Sequence, residues 1–192
     1  MKANYKYKDY VDLNSISINP VPENNMYKKY RFSLSMQFKS KRNKKRALII
    51  MKNPSEADKE KSDHTINNVL KFCEKHYGQV CIMNLFPNYS TDPKGVKSFI
   101  NSSEYNLYME QNLTVLNTMI LQADDIIIAW GGNSIGNKTE YDKAIKSVLR
   151  IIREIGRIPL AVREQSKEVK REYPWHAQVW AVNENLETYE WK

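Results

Sequence analysis

The sequence predicts a single α/β domain in three layers, α/β/α. Helices cover both faces of a central, mostly parallel four-stranded sheet, which also carries an N-terminal hairpin strand and short C-terminal strands. Three observations lead there. Four short apolar runs, Ala47–Met51, Val80–Met83, Ile126–Trp130 and Ile158–Val162, have the length and unbroken hydrophobicity of strands buried on both faces. Between them lie stretches with apolar residues at helical spacing. Strands alternating with amphipathic helices are joined by right-handed crossovers, which makes the sheet parallel and leaves helices on each face.

The elements follow in chain order. Residues 1–25, rich in Asn, Lys and Tyr and containing Pro20 and Pro22, read as an extension to a domain covering 26–192. Tyr30–Phe38 alternates in strand fashion, with Phe32, Leu34, Met36 and Phe38 on one face. A basic turn joins it to Arg46–Met51, so the pair reads as a hairpin leading into a central strand. After a polar loop, Ile66, Val69, Leu70 and Cys73 mark a helix that starts at Thr65 and that Gly78 ends. Gln79–Leu85 is the second buried strand. Asp92-Pro93 pairs a capping carboxylate with a proline suited to a first helical turn, and a long helix covers about Ser103–Leu121. The third strand runs into Gly131-Gly132-Asn133-Ser134 and a helix whose apolar face is Tyr141, Ile145, Val148, Leu149, Ile152 and Ile155. Ala177–Trp191 alternates enough for one or two terminal strands.

Composition narrows the class. At 192 residues the chain suits one domain, and a domain of that size buries roughly 70% of its unfolded surface without needing disulfides. No apolar run approaches the length of a membrane span. The polar segment Met1–Asp12 does not read as a secretory signal. Cys73 on a helix face and Cys81 in a strand read as two buried thiols, and a cytoplasmic location is expected. The net charge is +8, and Lys39, Lys41, Arg42, Lys44, Lys45 and Arg46 crowd into eight residues. That run reads either as a patch for nucleic-acid phosphates or as a solvated turn.

In open parallel sheets, ligands bind beyond the carboxyl ends of the strands. The four exits hold Lys52-Asn53-Pro54-Ser55, with Asp58, Asp63 and His64 further on; Asn84-Leu85-Phe86-Pro87-Asn88; Trp130-Gly131-Gly132-Asn133; and Arg163 with the stretch to Tyr173-Pro174-Trp175-His176. Amides and flat rings beyond apolar strands suit a planar polar ligand such as a nucleobase. Each motif also has a structural reading. Asn53-Pro54 is a turn, Asn84 a loop cap, Gly131-Gly132 a tight turn or a phosphate cradle, and Asp63 a helix cap. Phe86, Tyr89 and Trp175 are stacking candidates or core. The three histidines are too scattered for a zinc signature, and neither a Walker loop nor a nucleophile elbow is present. No metal or cofactor is expected.

The segments Arg46–Asp58, Asp63-His64-Thr65-Ile66, Asn84-Leu85-Phe86, Thr91-Asp92-Pro93 and Ala129-Trp130-Gly131 together resemble a bacterial and phage family known as domain of unknown function 1643, over roughly residues 45–176. More distantly, their order resembles the uracil-DNA glycosylase superfamily. That resemblance implies a four-stranded parallel sheet between helices. Asn53-Pro54-Ser55 is similar to the family's water-positioning Asn-Pro-Gly motif, Asn84 falls where an Asn reads the base, and Trp130-Gly131 matches a Trp-Gly that ends the third strand. A His beside a Pro then stabilises charge on the base; here the order is Pro174-Trp175-His176, the reverse. The implied catalytic residues are Asn53 and His176, and the implied substrate-binding residues are Pro54, Ser55, Asp63, Asn84, Phe86, Trp130, Gly131 and Trp175. The basic run would hold the nucleic-acid backbone.

N-glycosidic cleavage needs donors facing the oxygen of the departing base, a water aimed at the sugar carbon and a flipped base, which costs roughly a few kcal/mol. An amide is a poor general base, so slow or absent catalysis fits Asn53. Three functions follow: a glycosylase-like DNA-binding protein that cuts or only binds, an enzyme acting on a free nucleotide or nucleoside, and a non-enzymatic protein-partner module of a phage or mobile element.

Overall fold

A computed structural model describes residues 5–21, 24–26, 28–40, 43–90, 92–163, 172–181 and 185–190. Its elements are β1 (Val11–Asn19), β2 (Ser33–Phe38), β3 (Arg46–Met51), α1 (His64–Cys73), β4 (Gln79–Asn84), α2 (Pro93–Ile100), α3 (Tyr105–Gln122), β5 (Asp125–Ile128), α4 (Lys138–Glu154), β6 (Leu160–Arg163), a 3-10 turn (Ala177–Val179) and β7 (Asn185–Thr188). The seven strands form one mixed sheet in the order β1-β2-β4-β3-β5-β6-β7. Strands β4, β3, β5 and β6 pair in parallel. The pairs β1–β2, β2–β4 and β6–β7 are antiparallel.

Alternating side chains point to opposite faces of a sheet, so strands covered on both sides must be apolar throughout. On one face Ala47, Ile49, Met51, Ile127 and Ala129 pack with Ile66, Val69 and Leu70 of α1. On the other, Leu48, Ile50, Ile126 and Ile128 meet Val96 and Phe99 of α2, Leu116 and Ile120 of α3, and Ile145 and Val148 of α4. Short polar side chains start three helices by accepting from their orphan N–H groups. Asp63 accepts from Ile66, Asp92 from Lys94, and Asn137 from Glu140, at 2.8, 2.8 and 3.2 Å.

Several expectations change. Val11–Asn19, read as part of an extension, is an edge strand of the sheet. Its pattern is hard to see because only Val11, Ile16 and Ile18 are buried and the register shifts between Asp12 and Ser17. The expected hairpin between Tyr30–Phe38 and Arg46–Met51 is absent, because β4 lies between β2 and β3. Strand β3 needs parallel neighbours on both sides, β4 and β5, and the connection from β2 passes the start of β4 instead of folding back. At that crossing the Gly78 Cα lies so close to the Asn43 carbonyl that a Cβ would sit 2.0 Å from it. Gly78 therefore serves this close approach, while α1 ends earlier, at Cys73. Phe32 does not share a face with Leu34, Met36 and Phe38, since it precedes the paired strand and joins the opposite core. The C-terminal stretch forms a 3-10 turn and β7; Trp191 lies outside the described residues.

Both cysteines are free thiols. Burial pushes both upward, Cys81 to about 11, so neither is an activated thiolate. Among the described residues, no helix is long and apolar enough to cross a membrane, and no cluster of His, Cys, Asp or Glu could hold a metal.

Candidate functional site

The exits of β3, β4 and β5 lie at one edge of the sheet, because these strands run parallel and in register. Past the strand ends the ladder continues: the N–H groups of Leu85 and Phe86 donate to the carbonyls of Met51 and Lys52, and Ala129 donates to Ile50 (2.8, 2.9 and 2.8 Å). Beyond this edge opens a cleft of about 620 Å³ lined by Met51, Lys52, Asn53, Ser55, Thr65, Ser90, Gly132, Asn133, Ser134, Ile135, His176 and Gln178. A smaller hollow of about 350 Å³, lined among others by Gly131, Pro174, Trp175 and His176, shares Gly132 and His176 with it.

Asn53 is held by two loops. Its Nδ2 donates to the carbonyls of Ser90 (2.6 Å) and Pro54 (3.2 Å), and the Ser90 N–H donates back to the Pro54 carbonyl (2.9 Å). The amide nitrogen is thereby committed, which turns Oδ1 into the group's acceptor for a ligand or water. Pro54 is buried beneath this clamp. Ser55 donates its hydroxyl to Asp63 Oδ2, whose Oδ1 caps α1. Asp63 is thus a helix cap behind the cleft, not one of its lining groups.

His176 approaches from the far side of the chain and reaches the β5 exit through glycine. Gly131 has φ +68°, and a Cβ there would lie 2.8 Å from the Cβ of His176, so only glycine lets the two backbones come this close. The short 3-10 turn fixes the ring, as the Gln178 N–H donates to Nδ1 (3.2 Å). α1 fixes that turn, as Asn68 Nδ2 donates to the Gln178 carbonyl (2.8 Å). Burial first, and the Lys52 charge second, push the imidazole down to about 4, against the opposing pull of Asp63. At neutral pH the ring is uncharged. With Nδ1 accepting, its proton sits on Nε2, and the ring is a neutral donor.

Asn84 ends β4 beside Met51, its register partner and a lining residue of the cleft. It is 2% exposed and lies beneath the cleft's lining residues without being one of them, and among the described residues neither its Oδ1 nor its Nδ2 has a hydrogen-bond partner. Its backbone is held from α3 by Asn112, whose Nδ2 donates to the carbonyls of Asn84 (2.8 Å) and Leu85 (3.3 Å).

Other expected site residues lie elsewhere. Trp130 is fully buried and packs edge-on against Tyr189, with ring centroids 6.1 Å apart. Its carbonyl and that of Gly131 accept from the Tyr141 hydroxyl. Phe86 is fully buried and lies parallel to the Tyr141 ring. Both are core, because an apolar strand exit carries the core up to the rim. Trp175 is partly buried, lining the smaller hollow and packing on the α1-side core.

The described part of the basic run sits at the opposite edge of the sheet. Arg46 begins β3 and Lys52 follows its end, a rise of about 3.3 Å per residue for six residues. Lys39, Lys44, Lys45 and Arg46 are exposed there, and Lys45 faces Asp125 at 3.6 Å. Lys41 and Arg42 lie outside the described residues.

Sequence reasoning missed Lys52, Ser90, Ser134 and Asn112. Lys52 is half-buried in the cleft wall, and its Nζ donates to Ser134 Oγ (2.8 Å). Its place at the first strand exit is legible in the sequence, but nothing local marks its role, because Ser134 comes from a distant segment. Asn112 did leave a signal, since it is the polar member of the buried α3 stripe Tyr108, Asn112, Leu116 and Ile120. Arg31, also missed, is fully buried beneath the loop after β3, where its Nη1 donates to the Ala57 carbonyl (2.5 Å).

These features define an α/β protein with a donor-rich cleft at the carboxyl edge of its parallel strands. The family described as Protein of unknown function (DUF1643) matches residues 31–176, and the chain belongs to that family. The match begins at the buried Arg31 and ends at His176. Comparison with curated proteins and with solved structures finds no match.

Proposed function

We propose that the protein binds a nucleobase-bearing ligand at this edge and hydrolyses its N-glycosidic bond, in the manner of a uracil-DNA-glycosylase relative. The observation that carries the reading is Asn84. A buried amide with both donor and acceptor unpaired costs about 1–3 kcal/mol per group, and such a pair is complementary to the donor-acceptor edge of a base. The parallel order β4-β3-β5-β6 between helices supports the same family likeness, as do Asn53, a lining residue whose Nδ2 is committed and whose Oδ1 is left to accept, and the neutral Nε2–H of His176. In this reaction the bond between base nitrogen and C1′ breaks. Water adds its oxygen to C1′, and the base leaves with its electron pair and takes up a proton. Asn53 Oδ1 orients the water, and His176 donates a hydrogen bond to the base oxygen as negative charge develops there. With no carboxylate acting as base beside the water, the rate is low.

The test is alkaline strand scission of labelled single- and double-stranded oligonucleotides carrying uracil, hypoxanthine, thymine mismatches or modified pyrimidines. Excision that Asn53→Ala removes while binding persists supports the proposal. A protein that neither excises from nor binds any of these substrates contradicts it. A second reading, action on a free nucleotide or nucleoside, is favoured by one observation: Lys39, Lys44, Lys45 and Arg46 lie at the edge remote from the cleft, so the described part of the basic run supplies the cleft with no track for a DNA backbone. Release of free base from nucleosides or nucleotides, measured by chromatography, tests that alternative.

A further inference from the structure

We propose that Lys52 and Ser134 form an anion subsite within the cleft that takes a phosphate group of the ligand. The inference rests on the nucleobase reading only for the company the phosphate keeps; the subsite itself follows from the cleft's own chemistry.

Lys52 leaves the end of β3 into a wall where it is half-buried. Its one hydrogen bond among the described residues goes to the neutral Ser134 hydroxyl (2.8 Å), and the Tyr141 ring lies 5.7 Å from Nζ. No carboxylate is among the cleft's lining residues, and the described ion pairs do not include Lys52. Burial holds its ammonium below the ordinary lysine range with no compensating charge. A partly desolvated cation without a counterion is unfavourable unless something completes it. The remaining lining groups say what completes it. His176 is uncharged, so Lys52 is the cleft's ionised lining group. Among the cleft's lining residues, Ser134 accepts from Lys52 and keeps its own hydroxyl proton to donate, and Thr65 adds a second hydroxyl, whereas Ser55 and Ser90 already donate theirs to Asp63 and to the Asp92 carbonyl. An ammonium with hydroxyl donors beside it suits several oxygens on one centre, as in phosphate. At Gly132 a Cβ would meet nothing within 4 Å, so an anion has open access to the backbone beside Ser134.

The placement also suits a nucleotide. Lys52 follows Met51, and Met51 is the register partner of Asn84. The phosphate group and the base edge would therefore be received by residues that end two neighbouring strands.

The same phosphate chemistry can come from a free nucleotide or from a nucleic-acid backbone, and the experiment separates them. Uridine, uridine monophosphate, inorganic phosphate and a short uracil-containing single-stranded oligonucleotide are titrated calorimetrically into the full chain and into its Lys52→Gln, Lys52→Arg and Ser134→Ala variants, with circular dichroism confirming that each variant is folded. The expected result for the wild type is that uridine monophosphate binds about tenfold tighter than uridine, one charge-assisted hydrogen-bonded contact. Lys52→Gln brings that ratio close to one, Ser134→Ala lowers it partly, and Lys52→Arg restores much of it. A Lys52-dependent gain seen with the oligonucleotide but not with the monophosphate assigns the subsite to a backbone phosphate and still supports it. Binding of inorganic phosphate that depends on Lys52, with no binding of uridine to the wild type, upholds the subsite while refuting the nucleobase reading. Equal affinity of wild type and Lys52→Gln for every phosphate-bearing probe, or no binding of any of them, overturns the subsite.

Discussion

Replacing Gly131 by alanine tests how the cleft is assembled. Two effects add at this position. An L-residue held at φ +68° costs about 1 kcal/mol relative to glycine. The new methyl would stand 2.8 Å from the His176 Cβ, well inside ordinary contact, and overpacking of this kind costs about 1–3 kcal/mol. Gly131→Ala should therefore lower stability by about 2–4 kcal/mol, which a domain of ordinary stability survives. Gly136 isolates the first effect, because its φ is +69° and a Cβ there meets nothing within 4 Å. Gly136→Ala should cost about 1 kcal/mol. Urea unfolding followed by tryptophan fluorescence measures both, and the NMR shifts of the His176 ring report whether the imidazole moves in the first variant alone. Equal losses for the two variants, with unchanged His176 shifts, would refute the packing of His176 on Gly131 and with it the assembly of the cleft from the β5 exit and the C-terminal segment.

Four further outcomes are expected. His176 titrates near 4 in the folded protein and near 6.5 when unfolded, so between those values the unfolded chain binds more protons and stability rises with pH. The contribution is complete above about 6.5, is lost as pH falls toward 4, amounts to at most about 3 kcal/mol, and should vanish from the pH profile of His176→Gln. Asn84→Leu should stabilise the free protein by about 1–2 kcal/mol by removing an unpaired buried amide while abolishing ligand binding; a clear loss of stability in urea would mean that the amide is already satisfied. Asn112→Ala should destabilise by about 2–4 kcal/mol, since it leaves a cavity and deprives the Asn84 and Leu85 carbonyls of their donor, and denaturant midpoints will show it. Neutralising Lys39, Lys44 and Lys45 should leave nucleoside binding in the cleft unchanged, because those side chains belong to the other edge of the sheet; a calorimetric titration with uridine checks this.

The sequence by itself determined the buried strands and most helices. Ala47–Met51 and Val80–Met83 are apolar at every position, which admits only a strand covered on both faces, and Asp92-Pro93 carries its helix start in two residues. It also determined that the strand exits are polar, and hence which edge of the sheet to look at. Asn53 and His176 were legible as residues beside a cleft. Tertiary structure alone decided the rest, because it depends on which strands become neighbours. No local signal says that β4 inserts between β2 and β3, since pairing is a choice among partners distant in the chain; the sequence therefore reads as a hairpin there, and strand direction alone sets Lys39, Lys44, Lys45 and Arg46 at the end of the sheet away from the cleft. Edge strand β1 escaped notice because half of each edge strand's surroundings is solvent and a register shift breaks its period. Trp130 and Phe86 look like ligand-facing aromatics in sequence, yet the core extends to the rim and encloses both. Lys52 is an ordinary lysine until the fold sets it against the Ser134 hydroxyl in a cleft whose described lining holds no carboxylate, and Asn84 is an ordinary loop amide until burial removes the water that would have satisfied it.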